Sequence, residues 1–352
     1  MERSSLRLLA GSQAFREIRE RGLSPTRVRA IIGASGGPKW LVLSRLDQYL
    51  NEHFLSGAPQ SITLLGSSVG AWRMALYATK NAHERFRKLE AINLDHFYQP
   101  PITSDEINIF IDRVLGEVFT ESCRDQILNS PNRHLQVISV RNRRALNGRS
   151  AASQLLSLSL AAAGNLLSSS ATRLVYPRVV VSQSGRTSII GLPGENVTLD
   201  QENFPQALIA SGAIPIVMSP VELPGSKARW HWDGALADYH FGGPFNVPDG
   251  LILYPHFSSK VVPGWFDKPL PWRKPKNHDY SRVVMLVPSS EFIARLPFGK
   301  VPDRHDITRL SNEERKCYWR MVVEATNHLV EDFHTALELD EGRSLVEPLQ
   351  YK

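Results

Sequence analysis

Ile62-Thr63-Leu64-Leu65-Gly66-Ser67-Ser68-Val69-Gly70-Ala71-Trp72 is the stretch whose reading decides the fold. The apolar run from Ile62 to Leu65 suits a buried strand. Gly66-Ser67-Ser68-Val69-Gly70 is a G-x-S-x-G turn, and Ala71 to Ala78 continue with a helix-like pattern. Strand, sharp turn and helix form the context in which this pattern is a nucleophile elbow. Gly66 and Gly70 lack a Cβ, so strand and helix can close tightly around the bend. Ser68, the central serine, is then lifted to the carboxyl end of the strand. The helix that follows aims its free N–H groups at whatever Ser68 attacks. Ser67 is the neighbour of the central serine. Taken alone, the pattern also fits an ordinary Gly/Ser turn.

Upstream, Val28 to Ile32 is a short apolar run of the kind found in buried parallel strands. It ends in Gly33-Ala34-Ser35-Gly36-Gly37-Pro38-Lys39-Trp40, and Leu41, Leu43, Leu46, Tyr49, Leu50 and Phe54 then mark a helix. Strand, loop, helix, strand, elbow, helix predicts a parallel sheet covered by helices on both faces. Residues 13–21 read as a short amphipathic helix stopped by Gly22. Downstream, residues 97–132 read as helical behind a Thr103-x-x-Glu106 capping box. Leu135 to Val140 is a strand, and Val179–Val181 with Ser188–Ile190 read as a hairpin around Ser184-Gly185-Arg186. Residues 205–217 form a helix-like run that ends in Ala210-Ser211-Gly212-Ala213-Ile214-Pro215. Leu251 to Tyr254 and Val283 to Val287 are late strands, separated by an irregular stretch rich in Pro, Trp and Lys. A last helix opens at the Ser311-x-x-Glu314 capping box, with Tyr318, Met321, Val322, Ala325, Leu329 and Phe333 on its buried face.

The chain has 352 residues and a formal net charge of +6, with the apolar and charged fractions of a globular protein. Arg141, Arg143, Arg144 and Arg149 form one local basic cluster. Such a cluster suits anionic headgroups or nucleic acid, but a solvated loop is the simpler reading, and nucleic acid is not expected as a partner. The two cysteines, Cys123 and Cys317, are far apart, which suggests a reducing, cytoplasmic compartment. Glu2, Arg3, Arg7, Arg16 and Glu17 interrupt the N-terminus, so no signal peptide is expected. Residues 150–172 carry no charge. Their length would span a bilayer. Their serines, with Gly164 and Asn165, argue instead for a buried helical pair or an apolar cap over a site. Peripheral contact of this segment and its arginines with an anionic membrane is a further expectation.

A nucleophilic serine needs a base and an oxyanion hole. The loop at 33–39 is the candidate hole, with Gly36 and Gly37 N–H free to point at a developing oxyanion. Pro38 has no N–H, while Lys39 can offer a backbone donor and a positive charge. A phosphate-binding Walker loop is excluded, since it requires Gly before the lysine and Ser or Thr after it. Pro38 and Trp40 stand there. Asp233, in a Trp-Asp-Gly-Ala turn, can take the serine proton directly, although Asp-Gly is also a common turn pair. His231, Asp238 and His240 lie nearby but lack metal-ligand spacing, so neither metal nor cofactor is expected. His256 follows Asp233 in the order Ser…Asp…His, which keeps a triad open.

Ser35-Gly36-Gly37-Pro38-Lys39, Gly66-Ser67-Ser68-Val69-Gly70 and Asp233-Gly234-Ala235 together resemble the patatin-like phospholipases. Ala210-Ser211-Gly212-Ala213-Ile214-Pro215, Pro220 and Asp238 fit the same resemblance, which covers about residues 27–245. It implies a three-layer α/β/α sandwich with a mainly parallel sheet. It implies also a Ser68–Asp233 dyad that hydrolyses acyl esters of lipids, with Gly36, Gly37 and Lys39 at the oxyanion. Trp40 replaces a family glycine, and Phe241 replaces the proline of a later Asn/Asp-x-x-Pro pattern. The expected organisation is one domain over 1–352, with its motifs in 27–245 and a strand-and-helix extension at 246–352. The rival functions are a Ser-His-Asp esterase and a non-catalytic lipid-binding scaffold.

Overall fold

The apolar runs at Val28–Ile32, Ile62–Leu65, Leu251–Tyr254 and Val283–Val287 become strands. The computed structural model describes residues 4–99, 101–142, 150–183, 188–191 and 193–351. From the N-terminus the strands are β1 (Leu6–Ala10), β2 (Val28–Gly33), β3 (Ile62–Ser67), β4 (Arg133–Arg141), β5 (Arg178–Ser182) and β6 (Glu195–Thr198). They continue with β7 (Val221–Glu222), β8 (Trp230–Asp233), β9 (Leu251–Pro255), β10 (Val283–Pro288) and β11 (Val346–Pro348). All join one mixed sheet, ordered β11-β1-β10-β9-β2-β3-β4-β5-β6, with β8 on β4 and β7 on β8. The centre, β10-β9-β2-β3-β4, is parallel throughout. β9 and β10 are apolar along their length because helices cover both faces and no alternation is needed, whereas β4 buries His134, Gln136 and Ser139 among its apolar residues.

The helices are α1 (Ser12–Arg21), α2 (Ser44–Tyr49), α3 (Val69–Leu76), α4 (Ala82–Asp95), α5 (Ser104–Glu117), α6 (Glu121–Leu128) and α7 (Ala151–Leu167). The rest are α8 (Thr172–Val175), α9 (Phe204–Gly212), α10 (Ser290–Arg295), α11 (Asp306–Arg309), α12 (Asn312–Ala325) and α13 (Asn327–Asp340). They flank the sheet in the expected α/β/α arrangement. Gly22, at φ 78°, ends α1. Thr103 Oγ1 accepts the Glu106 N–H at 3.2 Å to open α5. Ser311 and Glu314 form the capping box that opens α12.

Several expectations are corrected. The helix expected from Leu41 begins as a tight 3-10 segment at Gly37–Leu43 and ends in a wider π-turn at Leu50–Phe54. Residues 97–132 hold two helices with a break between them. The hairpin from Val179 does not form: β5 pairs in parallel with β6, and Ile190 makes only a single bridge, to Phe245. Its proposed turn at 184–187 lies outside the described residues, as do Arg143, Arg144 and Arg149 of the basic cluster. The C-terminal helix is two, α12 and α13, separated at Thr326, whose Oγ1 bonds the Val323 carbonyl at 2.6 Å. Met321 is exposed, and Trp319 is buried in its place. β1 was hidden by Arg7, which reaches out to Glu347 on β11 while Leu6 and Leu8 are fully buried.

The uncharged segment is a helix, α7, followed by the short α8, but it is not a buried pair. Leu155, Leu156, Leu160, Leu166 and Leu167 face solvent. Its inner side, at Ala161, joins Val140, Tyr176, Trp232, Leu236 and Phe266 in a small second core beneath β8. Among the described residues, no helix is long and apolar enough to cross a membrane.

One feature of the sheet positions the site. β4 carries β5 on one edge, paired from Gln136 to Val140. Its other edge is shared end to end: β3 occupies it up to Ser67↔Ile138, and β8 takes over at Asp233↔Ser139. The end of β3 and the end of β8 therefore meet head on, which brings Ser68 and Asp233 together from 165 residues apart in sequence (233 − 68).

Candidate active site

Ser68 stands at the bend with φ 53° and ψ −138°, a conformation that costs a non-glycine residue of order 1–3 kcal/mol. The two flanking glycines are required by close approach. A Cβ on Gly66 would lie 2.5 Å from the Gly70 carbonyl, and one on Gly70 would lie 2.0 Å from the Gly33 oxygen. Behind the elbow, Arg73 of α3 is fully buried and makes two hydrogen bonds to Asp47 of α2, at 2.7 and 2.8 Å. That paired charge fixes the helix whose N-terminus faces the site.

The run Ala210-Ser211-Gly212-Ala213 clamps both partners. Ser68 N–H donates to the Ser211 carbonyl at 2.9 Å, and Asp233 N–H donates to the Ala213 carbonyl at 2.9 Å. Gly212 packs against the nucleophile, for a Cβ there would sit 3.6 Å from Ser68 Oγ. The resemblance drew attention to this run, but its bridging role is visible only in three dimensions.

Asp233 is 7% exposed. Its Oδ1 accepts the Ala235 N–H at 2.8 Å, and the nearby Ser68 hydroxyl favours its ionised form. Burial raises its pKa to about 7, against the opposing pull of the Ala235 N–H, the Lys268 charge and the Ser68 hydroxyl. A carboxylate poised there is half ionised near neutral pH, which suits a general base.

The glycine loop is tied to the elbow by hydroxyls. Ser35 Oγ lies 2.6 Å from Ser67 Oγ and 3.1 Å from the Ser67 carbonyl. Ser67 Oγ in turn donates to the Asp238 carbonyl at 3.0 Å. Gly37, at φ 55°, begins the 3-10 segment. The N–H groups of Gly36 and Gly37 have no hydrogen-bond acceptor among the described residues. Lys39 N–H closes a turn onto the Gly36 carbonyl at 3.4 Å. The open backbone donors of the loop are therefore Gly36 and Gly37, and the Lys39 ammonium lies 5.1 Å from the Phe257 ring centroid. Val69, the first residue of α3, adds another N–H with no partner inside its helix, a donor the sequence reading did not name.

The histidines are elsewhere. His240 Nδ1 accepts the Val262 N–H at 3.0 Å, and its ring centroid is 4.4 Å from that of His256. His256 Nδ1 is 2.5 Å from the Ser258 carbonyl. Burial lowers the pKa of His256 to about 3 and that of His240 well below its ordinary value. Neither ring bonds Ser68 or Asp233 among the described residues. His231 Nε2 is 2.8 Å from Ser226 Oγ, and Asp238 makes a buried two-point ion pair with Arg178 at 2.5 and 2.6 Å. Arg178 and Arg73 are partners that the sequence did not announce. Each sits in a run read only for its apolar neighbours.

A serine at a strained strand-to-helix elbow, next to a buried aspartate and under a mainly parallel sheet flanked by helices, is an arrangement found in hydrolases with an α/β/α core. Residues 63–240, about half of the chain, match the patatin-like phospholipases, and the chain belongs to that family. No curated protein matches it. Among solved structures, human GIVD cytosolic phospholipase A2 overlays with a TM-score of 0.36 at 11% identity, covering 94% of this chain and 62% of that one.

Proposed function

We propose that this protein is a serine-dependent lipid acyl hydrolase that works through a Ser68–Asp233 dyad. The observation that carries the reading is the meeting of β3 and β8 on β4, which sets Ser68 beside the buried Asp233 carboxylate, raised by burial to about 7. Ser68 Oγ attacks the ester carbonyl carbon while Asp233 takes the hydroxyl proton. The carbonyl oxygen becomes an oxyanion, and Gly36 and Gly37 N–H stabilise it, with Val69 N–H at the helix start. Lys39 contributes charge at the loop rather than a free backbone donor. The tetrahedral intermediate collapses, the C–O bond to the alcohol breaks, and Asp233 returns its proton to the leaving oxygen. Water then attacks the acyl-enzyme with Asp233 again as base. The free acid leaves, and Ser68 is regenerated.

Residues 1–352 act as one domain in this reading, because β9 and β10, from the region beyond 246, lie in the middle of the sheet between β1 and β2. The solvent-facing leucines of α7 make the contact with the lipid surface. Gln154 of this helix accepts the Ile216 N–H at 2.6 Å, close after the Gly212 that touches Ser68, so the apolar face adjoins the site. Labelling with a fluorophosphonate probe tests the enzyme. Wild-type protein takes up one probe, and Ser68→Ala takes up none. A folded wild-type protein that neither labels nor hydrolyses any acyl ester would be a scaffold.

A further inference from the structure

A cavity of about 430 Å³ opens beside the turn that follows Asp233, between the α7–α8 corner and the 263–279 segment. It contains neither Ser68 nor Asp233, and nothing in the hydrolase reading uses it. Its wall carries Arg173, Arg273, Lys274 and Lys276 against three carboxylates, Asp238, Asp267 and Asp279. Two of these carboxylates, Asp238 and Asp267, are already engaged. Asp238 holds Arg178 at two points. Asp267 accepts the Asn165 side-chain amide at 2.8 Å and the Gly264 N–H at 3.0 Å. Asp279 lies 3.1 Å from His278 Nε2.

Three of the cations, Arg173, Arg273 and Lys276, are less well matched. Arg173 and Lys276 make no ion pair within 4 Å among the described residues, although the Asp238 and Asp267 charges reach Arg173. Arg273 spends one nitrogen on the α7 carbonyls of Asn165 (2.9 Å) and Leu166 (3.5 Å). Its Nε is buried with no hydrogen-bond partner. Burial lowers the Arg173 pKa, with Arg178 adding repulsion. Gathering cations in a half-enclosed space costs free energy that an anion offsets. Guanidinium forks match the paired oxygens of a phosphate, and a phosphomonoester brings close to two charges.

We propose that this cavity binds a phosphate group. The phosphate comes either on a lipid headgroup or on a small soluble phosphomonoester. Trp272, 68% exposed, lines the cavity and fits either source, as an interfacial anchor or as a face for the rest of the ligand. The site stands independently of the ester chemistry.

The test compares wild-type full-length protein with Arg173→Gln, Lys276→Gln and the control Lys80→Gln, an exposed lysine outside the cavity with the same charge change. Calorimetric titration with inorganic phosphate and glycerol 3-phosphate reads the soluble source. Co-sedimentation with phosphatidylcholine vesicles, with and without phosphatidic acid, reads the lipid source. Circular dichroism and thermal melting confirm that each variant is folded. Binding in either arm should weaken about tenfold in Arg173→Gln and Lys276→Gln and stay unchanged in Lys80→Gln. The arm in which this happens identifies the source. If no phosphate compound binds, or if Lys80→Gln weakens binding as much as the cavity variants, the cavity is not a phosphate site.

Discussion

Ser35 Oγ and Ser67 Oγ lie 2.6 Å apart in a pocket closed to solvent, so the glycine loop and the elbow form one rigid unit. Ser67 looked like a bystander to Ser68. It is the strut that spaces the loop's free N–H groups from the nucleophile, and it extends the tie to the Asp238 carbonyl. Ser67→Ala leaves the Asp238 carbonyl without this donor and cuts the hydroxyl tie to Ser35, whose hydroxyl keeps only the main-chain carbonyl at position 67. The expected result is a loss of about 1–3 kcal/mol in stability. We expect kcat to fall about tenfold or more with KM little changed, because oxyanion donors act in the transition state. Ser67→Ala still takes up a fluorophosphonate, whereas Ser68→Ala does not. The opposite labelling pattern would make Ser67 the nucleophile.

In the proposed reaction the backbone strain at Ser68 serves catalysis and not the fold. At φ 53° a glycine is comfortable where serine is not. Ser68→Gly should therefore abolish ester hydrolysis and leave thermal stability equal to or above wild type. A melting temperature several degrees lower would show that the elbow is unstrained.

The raised pKa of Asp233 sets a pH signature. The base acts only when ionised, so kcat/KM should rise with pH through about 7 and then level. Lys268 favours the ionised form, with its Nζ 4.0 Å from the Tyr239 ring centroid. Lys268→Gln should move the rising limb to higher pH. Stability runs the other way. The folded state holds the Asp233 proton more tightly than the unfolded chain does, so this group contributes fully below pH about 4. That contribution is lost as pH rises to about 7. Asp233→Asn should thus melt higher than wild type at pH 8, with the gap closing towards pH 4. A flat rate profile between pH 5 and 8 would remove Asp233 as the base.

The central strands and the three short motifs were legible because each rests on local chemistry. β2, β3, β9 and β10 are apolar runs, and Gly66 and Gly70 are fixed by a close approach between neighbouring segments. What the sequence hid depends on distant partners. β1 is polar at Arg7 and becomes a strand only between β10 and β11. The hairpin from Val179 failed because β5 found β4 and β6 as partners, which no turn signal encodes. α7 looked buried because it lacks charge, yet its leucines face outwards, and hydropathy alone cannot separate a core from an interface. The head-on meeting of β3 and β8 was equally invisible, since it is a property of the edge that β4 offers to both.

The decision between dyad and triad rests on the two buried histidines. In a triad, the imidazole that takes the serine proton must bond both the serine and an acid, and its loss is as damaging as loss of the nucleophile. His256 and His240 instead point their Nδ1 atoms at backbone groups of Ser258 and Val262. Burial keeps both neutral across the physiological range, with His256 at about 3. Both rings pack in the aromatic group of Tyr239, Tyr254 and Phe257, so replacing them disturbs packing. His256→Asn and His240→Asn keep a polar side chain able to serve those backbone groups, and circular dichroism with thermal melting reports whether each is folded. Each should retain kcat within about tenfold of wild type. Asp233→Asn keeps the shape and the Ala235 hydrogen bond but cannot accept a proton, and kcat should fall by about 10³-fold or more. A folded His256→Asn or His240→Asn variant with activity near background would overturn the dyad and install that histidine as the base.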